Sequence, residues 1–393
     1  MGMLAPGNWR ESRSGAPQRR GSRGVATDLL LGLALSSLGG LGCGHALGDR
    51  PGQSGAAAGA DVRQRHGGTS VTGGSEAKSS RRLARGDGSP LDAELARGDA
   101  AFADGDYRTA RLAYQAALAQ HAGDPAATVG IVRATLGEAE VPEGVNAAPG
   151  DPTLVAMADR LGALLLAAPE YEPAQLELGR IFLVLGEVAR AKEPVLAAVR
   201  LEPNDPEAQS TLGIVSLLTG EREAAVVALK RASVLEPGDA QRFTNLATAE
   251  LQAGLLADAI ASYRKAAKLA PDDGSVRTSL GTALLQAGDV TEALPELEAA
   301  VRLDPTRAAA HNNLGFARQR EGTLELAIAA YRTALALDAT LGSAWINLGT
   351  ALAKQGALGE ARTAVTRALA LDPEDPRARE VMGELDQLER TPK

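Results

Sequence analysis

The sequence is poor in aromatic side chains and nearly free of sulfur. Eleven of its 393 residues are Phe, Tyr or Trp, too few for a core of stacked rings or for the base-stacking platforms that hold single-stranded nucleic acid. The single cysteine, Cys43, excludes an internal disulfide and any multi-thiolate zinc or iron–sulfur centre. The four histidines, His45, His66, His121 and His311, are scattered along the chain. No GxxxxGK[ST], HExxH or GxSxG signature occurs, so phosphate-cradling, zinc-protease and nucleophile-elbow chemistries have no anchor. Asp104-Gly105-Asp106 lacks the remaining ligands of a calcium loop. The expectation is a protein without catalytic residues, metal or cofactor.

Charge divides the chain in two. Residues 1–90 carry a net +6 and residues 91–393 a net −14, together the formal −8. An acidic, aromatic-poor body repels phosphate backbones, which argues against nucleic acid as a partner. The basic excess lies in a Gly/Ser/Ala/Arg-rich head that cannot bury enough apolar surface to fold.

Within the head, Arg10, Arg13, Arg19, Arg20 and Arg23 precede an apolar run from Leu29 to Leu38, and Gly-Gly-Leu-Gly-Cys follows, ending at Cys43. A positive leader, a short apolar stretch and small residues before a break form a signal-peptide pattern. The run is shorter than the roughly 20 residues a membrane-spanning helix needs. With its sole cysteine just after the run and Gly42 before it, the head resembles a bacterial lipoprotein signal. That resemblance implies cleavage before Cys43, lipidation of its thiol and attachment to a membrane on the periplasmic side. Gly40 stands where that family usually has Leu, and Asp28 borders the run. The other reading is a low-complexity head with an incidental cysteine on a soluble cytoplasmic protein. Residues 1–42 are thus read as a signal peptide and 43–90 as a disordered linker that tethers the body.

The body repeats. Gly179, Gly213, Gly281, Gly315, Gly349 and Gly383 differ by multiples of 34 residues, with Ala247 filling the gap. Gly186, Gly220, Gly254, Gly288, Gly322 and Gly356 keep the same step, as do Ala191 to Ala361, Ala198 to Ala368, and the prolines Pro203, Pro237, Pro271, Pro305 and Pro373. Each period reads as two amphipathic helices, the first ended by glycine and the second by proline. A glycine inside a helix costs about 1 kcal/mol against alanine. Its recurrence predicts close approach of the partner helix at a point where a side chain would collide.

In the unit at 342–375, Trp345, Leu348, Gly349, Gly356, Ala361, Ala368 and Pro373 fall at the fixed points of the tetratricopeptide repeat. The units at 308–341 (Leu314, Gly315, Gly322, Ala327, Tyr331, Ala334) and 240–273 (Leu246, Gly254, Ala259, Tyr263, Ala266, Pro271) fit as well. The body therefore resembles that family over about three quarters of the chain. The expected fold is all-α: an α-solenoid of eight helix-turn-helix units at 91–122, 123–171, 172–205, 206–239, 240–273, 274–307, 308–341 and 342–375. The second unit carries an insertion at 138–152, and a capping helix closes the array at 376–390. Asp272–Asp273 and Glu374–Asp375 are expected as helix caps, and Pro194 and Pro295 on the outer side of second helices.

The resemblance implies a right-handed superhelix with the first helices lining a concave groove, and positions 5, 6 and 9 of each unit facing it. Among those positions stand Ser210, Thr211, Thr244, Asn245, Thr248, Thr278, Ser279, Thr282, Asn312, Asn313, Asn347 and Thr350, together with the apolar Ile346. A row of amides and hydroxyls can bind an extended peptide through its backbone; alternatively it only keeps an exposed wall soluble. The basic residues of the family's carboxylate clamp are missing, since position 2 reads Glu207, Gln241, Ser275, Ala309 and Ser343. The expected function is a non-enzymatic scaffold or adaptor for protein or peptide partners. A purely structural spacer and a regulatory subunit of a separate enzyme are the other readings.

Overall fold

The computed structural model describes residues 82–141 and 144–390, and all regular structure among them is helical. The signal segment, Cys43 and most of the linker lie outside the described residues. The first unit pairs α1 (Pro90–Ala103) with α2 (Tyr107–Gln120), the second α3 (Pro125–Glu138) with α4 (Pro152–Ala167). Next come α5 (Glu172–Val184) with α6 (Val188–Leu201), α7 (Pro206–Leu218) with α8 (Arg222–Leu235), and α9 (Ala240–Gln252) with α10 (Leu256–Leu269). The last three pairs are α11 (Gly274–Gln286) with α12 (Val290–Leu303), α13 (Ala308–Glu321) with α14 (Leu324–Leu337), and α15 (Gly342–Gln355) with α16 (Leu358–Leu371). A final helix, α17 (Pro376–Arg390), covers the end.

The recurrent residues have local physical roles. Asp124, Asp205, Asp239 and Asp273 N-cap the first helices α3, α7, α9 and α11 by accepting first-turn amide hydrogens, and Asp375 does the same for α17. Gly322 and Gly356 end α13 and α15 with φ of +97° and +86°, a left-handed conformation costly for a side chain. At Gly98, Gly179, Gly213, Gly281, Gly315 and Gly349 the glycine within the first helix faces the second helix of its own unit, whereas Gly130 faces Tyr114 of the unit before and α9 has Ala247 in that place. A Cβ on Gly213 would lie 2.3 Å from Leu229 Cγ, and one on Gly281 2.6 Å from Leu297 Cγ. The expected collision is therefore real, and helix pairs close to a distance only glycine allows.

A second periodic device was not foreseen. The side chain at position 4 of a unit donates to the carbonyl six residues earlier, across the turn. Gln175 bonds Pro169 O, Gln209 bonds Pro203 O, Arg277 bonds Pro271 O, Trp345 bonds Ala339 O and Arg379 bonds Pro373 O, each at 2.9 Å. His311 Nε2 sits 3.0 Å from Pro305 O in the same place. Four side-chain types thus fasten the same inter-unit turn.

Most first helices touch the first helix of the next unit, whereas consecutive second helices do not approach one another as closely. The stack therefore curves with the first helices inside. Pro194 and Pro295 lie within unbroken second helices, half-buried and exposed respectively. In the insertion, the amides of Asn146 and Ala148 donate to Leu183 O and Val184 O at 2.9 and 3.2 Å, capping the C-terminal end of α5. One boundary needs correction: residues 82–89, read from sequence as linker, are seated on α1, with Leu83 buried.

Candidate functional site

The polar row does gather on the first helices, but it is not an open wall. Thr211, Thr244, Asn245, Thr248, Thr278, Ser279, Asn312 and Asn347 are buried, and only Thr282, Asn313 and Thr350 are partly exposed. The hydroxyls mostly turn back on their own helices. Thr211, Thr244, Thr248, Thr278, Ser279, Thr282 and Thr350 each donate to the carbonyl four residues earlier, at 2.7–3.0 Å. Thr248 Oγ1 is also 3.0 Å from the buried Tyr263 hydroxyl.

The amides link units. Asn347 Nδ2 donates to Asn312 Oδ1 at 3.0 Å, Asn312 Nδ2 to Asn313 Oδ1 at 3.3 Å, and Asn313 Nδ2 to Thr282 Oγ1 at 2.8 Å. The chain runs from α15 through α13 to α11. Further back, Gln241 donates to Asn245 Oδ1 at 2.7 Å, and Asn245 donates to Ser210 Oγ at 3.4 Å, joining α9 to α7. A buried amide that already bonds a neighbouring unit is not available to a peptide backbone. The sequence shows which residue types recur at a register position; it does not show how closely adjacent first helices approach.

Toward the N-terminal half the same wall changes character. Arg133 pairs with Glu177 at 3.2 Å, and Arg180 lies 3.6 Å from the same carboxylate. Arg242 on α9 holds Glu207 on α7 at 2.8 Å and Glu236 at 2.8 Å. Burial alone would lower the Arg242 pKa, and Glu207, Glu236 and Asp239 outweigh it, so the guanidinium is held more firmly protonated than usual. At the start of α5, burial and the nearby Asp205 push the Glu172 carboxyl up to about 7. Its buried Oε1 meets no hydrogen-bond partner among the described residues. These charges were not singled out from sequence, because the residues they pair with lie mostly in other units.

Tetratricopeptide-repeat family models match residues 95–137, 212–274 and 278–341, and 319–385. No curated protein sequence matches the chain. Among solved structures, the APC/C hetero-tetramer Cut9-Hcn1 is similar over 75% of this chain at 18% identity, with a TM-score of 0.54. The match covers 55% of that protein, so the chain spans about half its length. Pseudomonas aeruginosa pilF (18% identity, TM-score 0.48) is covered over 99% of its length by 56% of this chain. YrrB, described as a TPR protein with an unusual peptide-binding site (20%, 0.41), is covered over 99% of its length by 49% of this chain. At 18% identity the likeness to Cut9-Hcn1 concerns the fold alone. Repeat models match more than half of the sequence, and the helix pairs recur at the step the glycines set: the chain belongs to the tetratricopeptide-repeat family.

Proposed function

We propose that this protein is a non-enzymatic scaffold that holds a protein partner by an extended segment laid along the concave face. The observation that carries the reading is the curvature. First helices from eight units line the inner side, most of them touching the next, and on them Thr282, Asn313 and Thr350 remain partly exposed. These three residues offer hydroxyl and amide groups without charge, suited to main-chain recognition.

The test has two steps. The tagged full-length chain is first used to capture and identify its partner. That partner is then titrated against the Thr282→Leu/Thr350→Leu variant and against an outer-face control, Arg332→Ala. Loss of about tenfold in affinity for the groove variant alone is expected. Equal affinity for groove variant and parent would move the binding surface to the convex side.

The head extends the proposal to localisation: Cys43 is lipidated and anchors the scaffold to a bacterial membrane on the periplasmic side. Its support is the leader, the apolar run and the position of the only cysteine. Among the described residues no helix is long and apolar enough to cross a membrane. Intact-mass measurement on protein from its own membranes should show loss of residues 1–42 and an added acyl mass. Met1 retained with a free thiol would favour the soluble cytoplasmic reading.

A further inference from the structure

Four consecutive backbone amides, those of Leu83, Ala84, Arg85 and Gly86, are received by two carboxylates on one helix. Asp99 Oδ2 accepts from Leu83 and Ala84 at 2.8 and 2.9 Å. Asp92 accepts from Arg85 through Oδ1 and from Gly86 through Oδ2, the latter at 3.0 Å. The two aspartates are seven residues, about two turns, apart and so share one face of α1. The side chains add specificity. Leu83 is 5% exposed and joins the apolar cluster that contains Leu95 and Tyr114. The Arg85 guanidinium reaches into the next unit and pairs with Asp124, itself only 2% exposed.

The carboxylates of Asp99 and Asp124 are held by other groups as well, and Asp92 is fixed through its backbone. Tyr114 OH donates to Asp99 Oδ1 at 2.8 Å, Ser89 Oγ accepts from the Asp92 amide at 3.1 Å, and Asp124 caps α3 through the Ala127 amide. The segment itself forms no helix or strand. It joins α1 through Gly86-Asp87-Gly88, where both glycines have positive φ and open space around the Cβ position. Such a joint can swing without disturbing packing.

We propose that residues 83–86 are a peptide ligand carried in cis, occupying a binding site for extended peptides formed by Asp92, Asp99 and Asp124. The ligand class is an unstructured segment with a leucine followed two residues later by an arginine. Main-chain amides meet the carboxylate pair, leucine fills the apolar pocket, and arginine meets the buried aspartate. While the chain's own segment is seated, competing peptides are excluded; lifting it through the glycine joint opens the site. The proposal rests on reading the concave face as a peptide groove, but at the opposite end of the array from Thr282 and Thr350. Its probe is a peptide of this chain, so its failure and that of the partner titration are separate results.

The experiment uses the full chain and a labelled peptide with the sequence of residues 79–88. Fluorescence anisotropy should show binding to a released variant, Leu83→Asp/Arg85→Glu, at least about tenfold tighter than to the parent, whose site is filled. Adding Asp92→Asn and Asp99→Asn should abolish it. Hydrogen exchange on the parent should show protected amides at 84–86 that lose protection in the Asp92→Asn/Asp99→Asn variant. Equal peptide binding by parent and released variant, or no binding by a released variant of unchanged helix content, overturns the proposal. So does free-chain exchange at 84–86 in the parent, a reading that does not depend on any variant folding.

Discussion

The ring of Tyr331 lies against the backbone of Gly315, sixteen residues earlier, where a Cβ would come within 2.7 Å of Cδ1 and Cε1. The same spacing joins Gly179 to Val195, Gly213 to Leu229, Gly281 to Leu297 and Gly349 to Val365. Gly315→Ala should therefore destabilise the unit by about 1–3 kcal/mol through overpacking, although alanine is the better helix former by about 1 kcal/mol. Because such arrays are held by nearest-neighbour contacts, lost hydrogen-exchange protection should concentrate in α13, α14 and the adjoining helices. A more stable variant would mean that Tyr331 has room to move aside.

The repeat, its step and its glycines were legible in the sequence because each is a local constraint repeated at a fixed register. His311 shows where that legibility stopped. Nothing in a scattered histidine marks a turn-fastening role, yet it bonds Pro305 O in the series that uses Gln175, Arg277 and Trp345 elsewhere. The shared property is a donor of sufficient reach, which residue identity alone conceals. The amide row was legible in part only, for another reason. Its composition was readable, but whether Asn347 faces solvent or Asn312 depends on how closely α15 approaches α13, and that is set by packing across units.

Asn312 is the centre of the amide chain, accepting from Asn347 and donating to Asn313. Asn312→Ala should cost about 1–3 kcal/mol, since it leaves the buried Asn347 amide short of an acceptor. Thr333→Ala on the exposed face of α14, which removes only a bond to Ala329 O, should change stability by no more than about 0.5 kcal/mol. Urea unfolding followed by circular dichroism compares the two. Equal effects would make the amide chain incidental to the joining of units.

The Arg242–Glu207 pair tests whether the charged half of the wall stabilises the array or only orders it. Arg242→Ala deprives the buried Glu207 of this cation, and a loss of about 3–5 kcal/mol is expected. Arg242→Met/Glu207→Met removes both charges while keeping the bulk, and should recover most of that loss. Hydrogen exchange across α7 and α9 reads both variants without assuming two-state unfolding. A double variant as unstable as Arg242→Ala would show that the pair itself holds the units together.

Glu172 makes stability depend on pH in the direction opposite to most carboxylates. Burial comes first among the causes and Asp205 second, and together they raise its folded-state pKa from 4.5 to about 7. Between those values the folded chain keeps a proton that the unfolded chain has released, so this group's contribution to stability falls as pH rises. Below about pH 4.5 both states are protonated and the penalty vanishes; above about pH 7 it is present in full. Glu172→Gln removes the ionisation while keeping the shape. It should leave stability nearly unchanged at pH 4.5 and raise it by about 1–2 kcal/mol at pH 8, once solvent screening of this half-buried group is allowed for. Thermal unfolding of parent and variant at the two pH values measures the difference directly. A gain of the same size at both would assign the effect to packing at the start of α5, and a loss at pH 8 would mean that the carboxylate has a partner there worth more than its burial costs.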